Sequence, residues 1–395
     1  MFAAPIKPEG SMYLSHLTMK NFRNYADIEL DLSPGLTIFR GANAQGKSNL
    51  LEAIYLLALT KSARAHNERD VIRFEAAEQT PYTRIIGTAL QKNNQQVEVR
   101  IDMAIAPRQD ASTSGIYQKR IRVNGLPKPA SQAVGAIAAV LFSADDLSLI
   151  TGPPSSRRRY MDVLLSQVDK DYIKTLQRYL QVMAQRNQLL KRIREGQAGQ
   201  DELGFWNDEL SQQGARITER RRIAVVALAP QVSESYNAMA SEDGQLELTY
   251  VPSIERAGTL QEVAAYISDK LATVKNREIQ MAQTLVGPHR DELQTKIDGV
   301  DVSQFGSRGQ IRSVALSLRL AEAGYLTRAL GEEPILLLDD VLSELDDARQ
   351  LKVLQAACSA EQALVTMVDG KRQPSEPQEA TATFRIQAGT LVQDG

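Results

Sequence analysis

The chain has 395 residues, 43 % of them hydrophobic and 24 % charged, which is too much core for one small domain and predicts two lobes or more. Forty-six Lys and Arg against 48 Asp and Glu give a net charge of −2, which excludes a global pull toward a polyanion and confines any nucleic-acid contact to a local patch. One cysteine, Cys358, and three scattered histidines exclude a disulfide framework and a zinc cluster; MFAAPIKPEGS is too short in apolar residues for a signal peptide, so a soluble, cytoplasmic protein is expected.

From Met12 the sequence alternates, and YLSHLTMKNF followed by IELDLSPGLTIF, with its Pro34-Gly35 turn, predicts strands leading to Gly41. Asn49 to Thr60 (NLLEAIYLLALT) reads as an apolar helix, and YTRIIGTAL, VEVRIDMAI and KRIRVNG as further strands. Past Gly152-Pro153-Pro154 the period changes. Ile173, Leu176, Leu180, Met183 and Leu190 recur at helical spacing, a break follows at REGQAGQDELG, and a second helix runs through Trp206, Leu210, Ile217 and Ile223 to Pro230. This is expected to be a helical hairpin inserted into an α/β body. QLELTYVP predicts a strand, LQEVAAYISDKLATVKN a helix, and KRQPSEPQEA a surface loop.

Gly41-Ala42-Asn43-Ala44-Gln45-Gly46-Lys47-Ser48 matches the phosphate turn G-x-x-x-x-G-K-[ST], between a predicted strand and a predicted helix. Glycines let successive N–H groups point inward, the helix N-terminus adds partial positive charge, Lys47 reaches the β- and γ-phosphates, and the Ser48 hydroxyl ligates Mg²⁺. A glycine turn with a solvated lysine is the competing reading. Such a turn needs a metal carboxylate, and Pro334-Ile-Leu-Leu-Leu-Asp339-Asp340 supplies one at the end of an aliphatic strand. Asp339 is expected to hold Mg²⁺ through water and Asp340 to position and polarise the attacking water, with Lys47 also counted as catalytic; an acidic strand-end turn is the competing reading.

Ser307, Gly309 and Gln310, in GSRGQ before the long helix IRSVALSLRLAEAGYLTRAL, form a second anion-binding helix start, for which an N-capping serine is the competing explanation. One triphosphate has one γ-phosphate, so two such starts are accommodated by sandwiching each nucleotide between Lys47 of one copy and Ser307 of another. Asp346, in SELD, fits a loop joining the paired sites.

In this order the motifs resemble the ABC-type ATPase heads, which include the SMC-type heads. Finer features resemble the RecF family of bacterial DNA replication and repair proteins: LSHLTMKNFRNY, KSARAHNERDVIRF, LFSADDLSLITGPPSSRRRYMD, VGPHRDEL and LLLDDVLSELD. The fold expected is an α/β P-loop ATPase head, a mixed sheet around the P-loop helix, with a mainly helical insert. Residues 1–11 are read as an extension, 12–165 and 281–395 as the two parts of the ATPase lobe, and 166–280 as the insert. The resemblance implies ATP and Mg²⁺ as cofactors, nucleotide roles for Gly41 to Ser48, Ser307, Gly309, Gln310, Asp339, Asp340 and Asp346, and a homodimer that forms on ATP. It also implies binding to single-stranded DNA and to junctions between duplex and single strand, slow hydrolysis for release, and work with RecO and RecR to load RecA at gaps in recombinational repair and the SOS response.

Transporter-type heads carry Glu where Asp340 stands and a histidine in the switch, where ALVTMVDG offers Thr366 and Asp369. A transporter's energising subunit, an SMC-type head and a nucleotide-binding scaffold without turnover are the alternatives. For DNA contacts the densest basic runs are Arg157-Arg158-Arg159 and Arg220-Arg221-Arg222, with solvated helix faces and lobe-joining salt bridges as competing readings. Lys61, Arg64 and Arg73 stand as unranked contacts to DNA or nucleotide, Tyr25 as a core tyrosine or an adenine neighbour, and His289 and Arg290 as turn residues.

Overall fold

The computed structural model describes residues 12–65, 67–77, 81–106, 116–239, 244–254, 258–369 and 380–394. The expected N-terminal extension and, apart from Ala380, the expected loop KRQPSEPQEA lie outside them. The chain divides into two compact units, Met1–Asp146 with Arg319–Gly395, and Leu147–Leu318.

Strands β1 (Tyr13–Phe22) and β2 (Tyr25–Asp31) pair antiparallel, and β3 (Gly35–Gly41) runs through the glycine turn into α1 (Lys47–Leu59). After α2 (Phe74–Ala77), strands β4 (Tyr82–Leu90), β5 (Gln96–Ala106), β6 (Ile116–Val123) and β7 (Leu126–Pro127) extend the ribbon into an antiparallel sheet ordered β2-β1-β4-β5-β6-β7. Alternation gives this sheet two faces, and one of them buries Leu17, Met19, Ile85, Val99 and Ile101 in the same core as α1. α1 is apolar almost all round, as its place in that core demands. The short α3 (Ala130–Ala133) and β8 (Ala139–Ser143) end this stretch.

The second unit opens with α4 (Leu147–Thr151) and α5 (Pro154–Val168), then a hairpin of α6 (Lys170–Arg194) and α7 (Leu203–Met239). The buried stripe of α6 includes Ile173 and Leu190 of the expected one but departs from the rest: Tyr172, Tyr179, Arg186 and Ile193 recur every seventh residue, whereas Leu180 is 46 % exposed. A fully buried arginine in the seam is what hid it. Helix α7 also continues past Pro230, its predicted end, with the Gln231 side chain donating to Ala227 O at 2.9 Å; Pro230 forfeits only its own N–H. Strand β9 (Leu246–Val251), α8 (Leu260–Met281), β10 (Glu292–Ile297), β11 (Val300–Asp301) and α9 (Val302–Phe305) follow, the strands forming a sheet ordered β11-β10-β9. This unit is wider than the expected insert of 166–280, because β10 pairs with β9 along its whole length and α5 packs on α6 and β10.

Helix α10 (Arg308–Leu330) passes from the second unit into the first, where β12 (Ile335–Asp339), α11 (Asp347–Ser359), β13 (Gln362–Val368), β14 (Ala380–Gln387) and β15 (Thr390–Asp394) complete a sheet ordered β15-β14-β3-β13-β12-β8. All its strands but β15 run parallel, so the glycine turn after β3 and the acidic end of β12 open on the same edge.

In the helical unit Arg186 and Glu278, both wholly buried, meet at 2.6 Å, and the guanidinium also donates to Asn207 and Thr284. Removing one partner strands the other charge in the core. Glu278→Ala is expected to cost about 3–5 kcal/mol of unfolding free energy in denaturant titrations, and Glu278→Gln to cost less because its amide oxygen still accepts a hydrogen bond from Arg186.

Candidate functional site

The glycine turn is held from two sides. From the β1–β2 turn Asn24 donates to Gln45 O at 2.9 Å and the Tyr25 hydroxyl to Gly46 O at 2.9 Å; from the β14–β15 turn Gly389 N donates to Gln45 O and Ala388 N to the Gln45 side chain at 2.7 Å. Tyr25 is therefore a core residue that braces the turn, and burial pushes its phenol well above the ordinary range. Gly46 has φ +117, and a Cβ there would meet Asn24 Nδ2 at 2.6 Å and the Tyr25 hydroxyl at 3.0 Å, so both conformation and space require glycine.

No side chain caps α1, whose first N–H groups are left for another acceptor, whereas Asp169, Thr259 and Asp346 cap α6, α8 and α11. Lys47, buried in the first turn, donates to Gly41 O at 2.7 Å and Ala42 O at 2.8 Å. Burial draws its ammonium below the ordinary lysine range, opposed by the charges of Asp340, Asp369 and Asp339.

Ser48 donates to Asp339 Oδ1 at 2.7 Å, so the turn and the acidic strand, 291 residues apart in sequence, meet in one unit. Thr366, in the neighbouring β13, bonds the same oxygen at 3.1 Å and accepts from Asp340 N at 2.9 Å. It is buried in its strand, so its visible work is to fix where both acids stand. Asp340 itself has φ 51°, a left-handed conformation that aspartate tolerates, and among the described residues no hydrogen bond or ion pair holds its carboxylate. Arg64 ion-pairs with Asp339 Oδ2 at 3.1 Å. That contact was not legible in the sequence beyond a position soon after α1. Its loop is pinned because Ser62 Oγ accepts from Arg64 N and Ala65 N and donates to buried Glu52, which Arg23 clamps with two bonds. Asp369, after β13, pairs with Arg385 at 3.0 Å.

Ser307, Gly309 and Gln310 stand at the start of α10, in the second unit. Ser307 Oγ accepts from Gln310 N at 3.2 Å and Gln310 Oε1 from Ser307 N at 2.9 Å, a reciprocal cap on that helix. Asp346 caps α11 through Arg349 N at 3.0 Å and pairs with the Arg349 guanidinium.

The basic runs are largely consumed within the second unit. Arg157 forks onto Glu292 at 2.5 and 2.7 Å, Arg158 donates to Asp291 O, and Arg221 is buried between Asp162 and Asp291. Arg220 and Arg222 pair with Asp169 and Glu219. His289 donates from Nε2 to Thr284 O at 3.0 Å and accepts at Nδ1 from Tyr179 at 2.6 Å; burial lowers its pKa to about 4, keeping it neutral in that structural role.

The RecF/RecN/SMC N terminal domain family matches residues 13–387. The chain belongs to the RecF family. It is 36 % identical to the DNA replication and repair protein RecF of Chloroflexus aurantiacus, over 96 % of this chain and 99 % of that one. With the RecF of Roseiflexus castenholzii the identity is 40 %, over 87 % and 89 % of the two chains. Among solved structures, the recombination mediator protein RecF of the RecFOR pathway, bound to ATP, is 31 % identical and matches with a TM-score of 0.87 over 98 % of each chain. An Smc head domain of Pyrococcus furiosus matches at 0.54 and 17 % identity, which shows the shared ABC-type head fold. RecF membership sets aside the transporter-subunit reading.

Gly46→Ala is expected to lower the unfolding free energy by about 1–3 kcal/mol from left-handed strain and the clash together. Gly125→Ala, at φ +75 with nothing within 4 Å of the new Cβ, is expected to lose only the strain part. Denaturant unfolding of the two variants side by side isolates the close approach of Asn24 and Tyr25.

Proposed function

We propose that this chain is an ATP-dependent DNA-binding protein of replication and recombinational repair, which dimerises on ATP and hydrolyses it slowly to let go. The observation that carries the reading is the contact of Ser48 with Asp339 beside Lys47 at a helix start with no side-chain cap. Gly41, Ala42, Asn43, Ala44, Gln45 and Gly46 wrap the phosphates with backbone N–H groups. Lys47 exchanges its two turn carbonyls for phosphate oxygens. The Ser48 and Asp339 oxygens are hard donors of the type Mg²⁺ takes, and bound Mg²⁺ would neutralise charge developing on the phosphates. Asp340, free to turn, orients a water whose oxygen attacks the γ-phosphorus; the bond to the β–γ bridging oxygen breaks, leaving ADP and phosphate, and the water's proton passes to solvent.

The signature residues complete the site from a second copy. Ser307, Gly309 and Gln310 close on the γ-phosphate of the partner's nucleotide, which replaces the reciprocal cap on α10, and Asp346 lies in the loop that joins the two sites. A solved relative of the RecFOR pathway is described with bound ATP, which supports the nucleotide assignment. On the same family grounds we assign RecO- and RecR-type mediators as partners, RecA loading at gaps and the SOS response as the setting, duplex–single-strand junctions and single-stranded DNA as ligands, and the cytoplasm as the compartment. Among the described residues no helix is long and apolar enough to cross a membrane.

Sedimentation with and without ATP tests the shared site. The wild type is expected to dimerise on ATP, Lys47→Met to lose nucleotide binding, and Ser307→Arg to keep nucleotide binding as a monomer. An ATP-dependent dimer of Ser307→Arg overturns the shared-site model.

A further inference from the structure

The continuous basic runs are spent on ion pairs, but the antiparallel sheet gathers basic residues that are scattered in sequence. Register places Lys20 of β1 opposite Arg84 of β4, Arg84 opposite Asp102 of β5, and Asp102 opposite Arg120 of β6. Two residues along, Arg100 stands opposite Arg122. Residues directly opposite share a face, and these occupy the face away from α1, since Met19, Ile85, Ile101 and Ile121 fill the buried one.

The acids on this face are unevenly placed: among the described residues three of them, Asp27, Glu29 and Asp31, lie on the edge strand β2, which leaves Arg84, Arg100, Arg120 and Arg122 against Asp102 and Glu98 on β4 to β6. Asp102 bridges Arg84 at 2.6 Å and Arg100 at 2.7 Å, and those two guanidinium groups hold its carboxyl below the usual range against the opposing effect of burial. Asp27 faces Lys20 at 3.3 Å, Glu29 and Asp31 face His16 at 3.5 and 2.7 Å, and Glu98 lies two residues beyond Arg100. Among the described residues, Arg120, which is exposed, and Arg122, which is half-buried, have no acidic partner.

Like charges directly opposite each other destabilise a sheet pair by a few tenths to about 1 kcal/mol. This sheet contains two such pairs, Lys20 with Arg84 and Arg100 with Arg122, on neighbouring rows. A solvated face kept only for solubility would alternate signs. A cost repeated across strands is offset when an extended anion lies over the face. A protein partner would call for a cluster of exposed aromatic or aliphatic anchors at the centre of the patch; here one row is Lys20, Arg84, Asp102 and Arg120, the next sets half-buried Thr18 and Ile86 beside Arg100 and Arg122, and Tyr82 stands at the end of the face.

We propose that Lys20, Arg84, Arg100, Arg120 and Arg122 form the surface that receives the sugar–phosphate backbone of DNA, with Asp102 holding Arg84 and Arg100 in place. This rests on the DNA-binding reading above and assigns its contact surface.

The test is the salt dependence of duplex and gapped DNA binding by the full chain with ATP, for the wild type and for Arg120→Glu/Arg122→Glu, with ATP binding measured on both as a folding control. Each phosphate contact contributes about 0.9 to the slope of log affinity against log salt. The double variant is expected to bind ATP normally, to bind DNA at least about 10-fold more weakly near 0.1 M salt, and to show a slope shallower by about 2. Equal affinity and slope in both proteins overturns the surface assignment and leaves the DNA reading standing. A wild type that fails to bind DNA even at low salt overturns the DNA reading itself. If both bind DNA equally while only the variant loses a polyglutamate probe, the face takes an acidic protein and the nucleic-acid assignment is wrong.

Discussion

Two oxygens of one buried carboxylate tie the nucleotide-side architecture together. Asp339 Oδ1 is shared by Ser48 from α1 and Thr366 from β13, and Oδ2 is paired with Arg64 from the loop after α1. A carboxylate this deeply enclosed requires donors on every side, so its position fixes the relative placement of the turn, the acidic strand and its neighbour. The placement is enforced from below as well: Arg23 grips Glu52, Glu52 receives Ser62, and Ser62 holds the backbone of Arg64. The first two links meet at Glu52 of α1, whose own position is set by the core around it.

The same rule, that a buried charge needs a partner, explains why basic runs in a sequence are poor guides to a polyanion surface. Arg221 stands in the middle of three consecutive arginines, yet it is buried and shared between Asp162 and Asp291. On a helix, consecutive residues point in different directions, so a run of three cannot present one face. A strand ladder does the opposite. It takes residues a hundred positions apart, such as Lys20 and Arg120, and sets them in one row.

What was legible in the sequence follows from how local each signal is. The phosphate turn and the aliphatic strand before Asp339 are local patterns with obligatory geometry, and both appear where the pattern required. The buried stripe of α6 was legible only at Ile173 and Leu190, because its central residue is Arg186 and nothing in the α6 sequence announces Glu278, 92 residues away. The end of α7 was placed at Pro230 for a sound local reason that the surrounding helix overrides. The unit boundaries shifted because β9 and β10 pair across an intervening helix, a non-local fact. Asn24 escaped notice, and Arg64 and Thr366 were named without their partners, for the same reason: each acts through a residue that only the fold brings near.

The charged face and the core of the antiparallel sheet are one feature seen from two sides. In β5, Val99, Ile101 and Met103 point into the core while Arg100 and Asp102 point away, and β4 and β6 follow the same period. A slip of one residue would bury arginines and expose isoleucines, so the burial that stabilises the sheet also locks the arginine rows in register. The strain of setting Arg100 opposite Arg122 cannot be relieved by sliding the strands, because sliding would cost far more in lost core than the repulsion returns. The sheet therefore holds its positive charge rigidly spaced before any anion arrives, and a rigid array gives up less conformational freedom on binding than flexible side chains on a loop would.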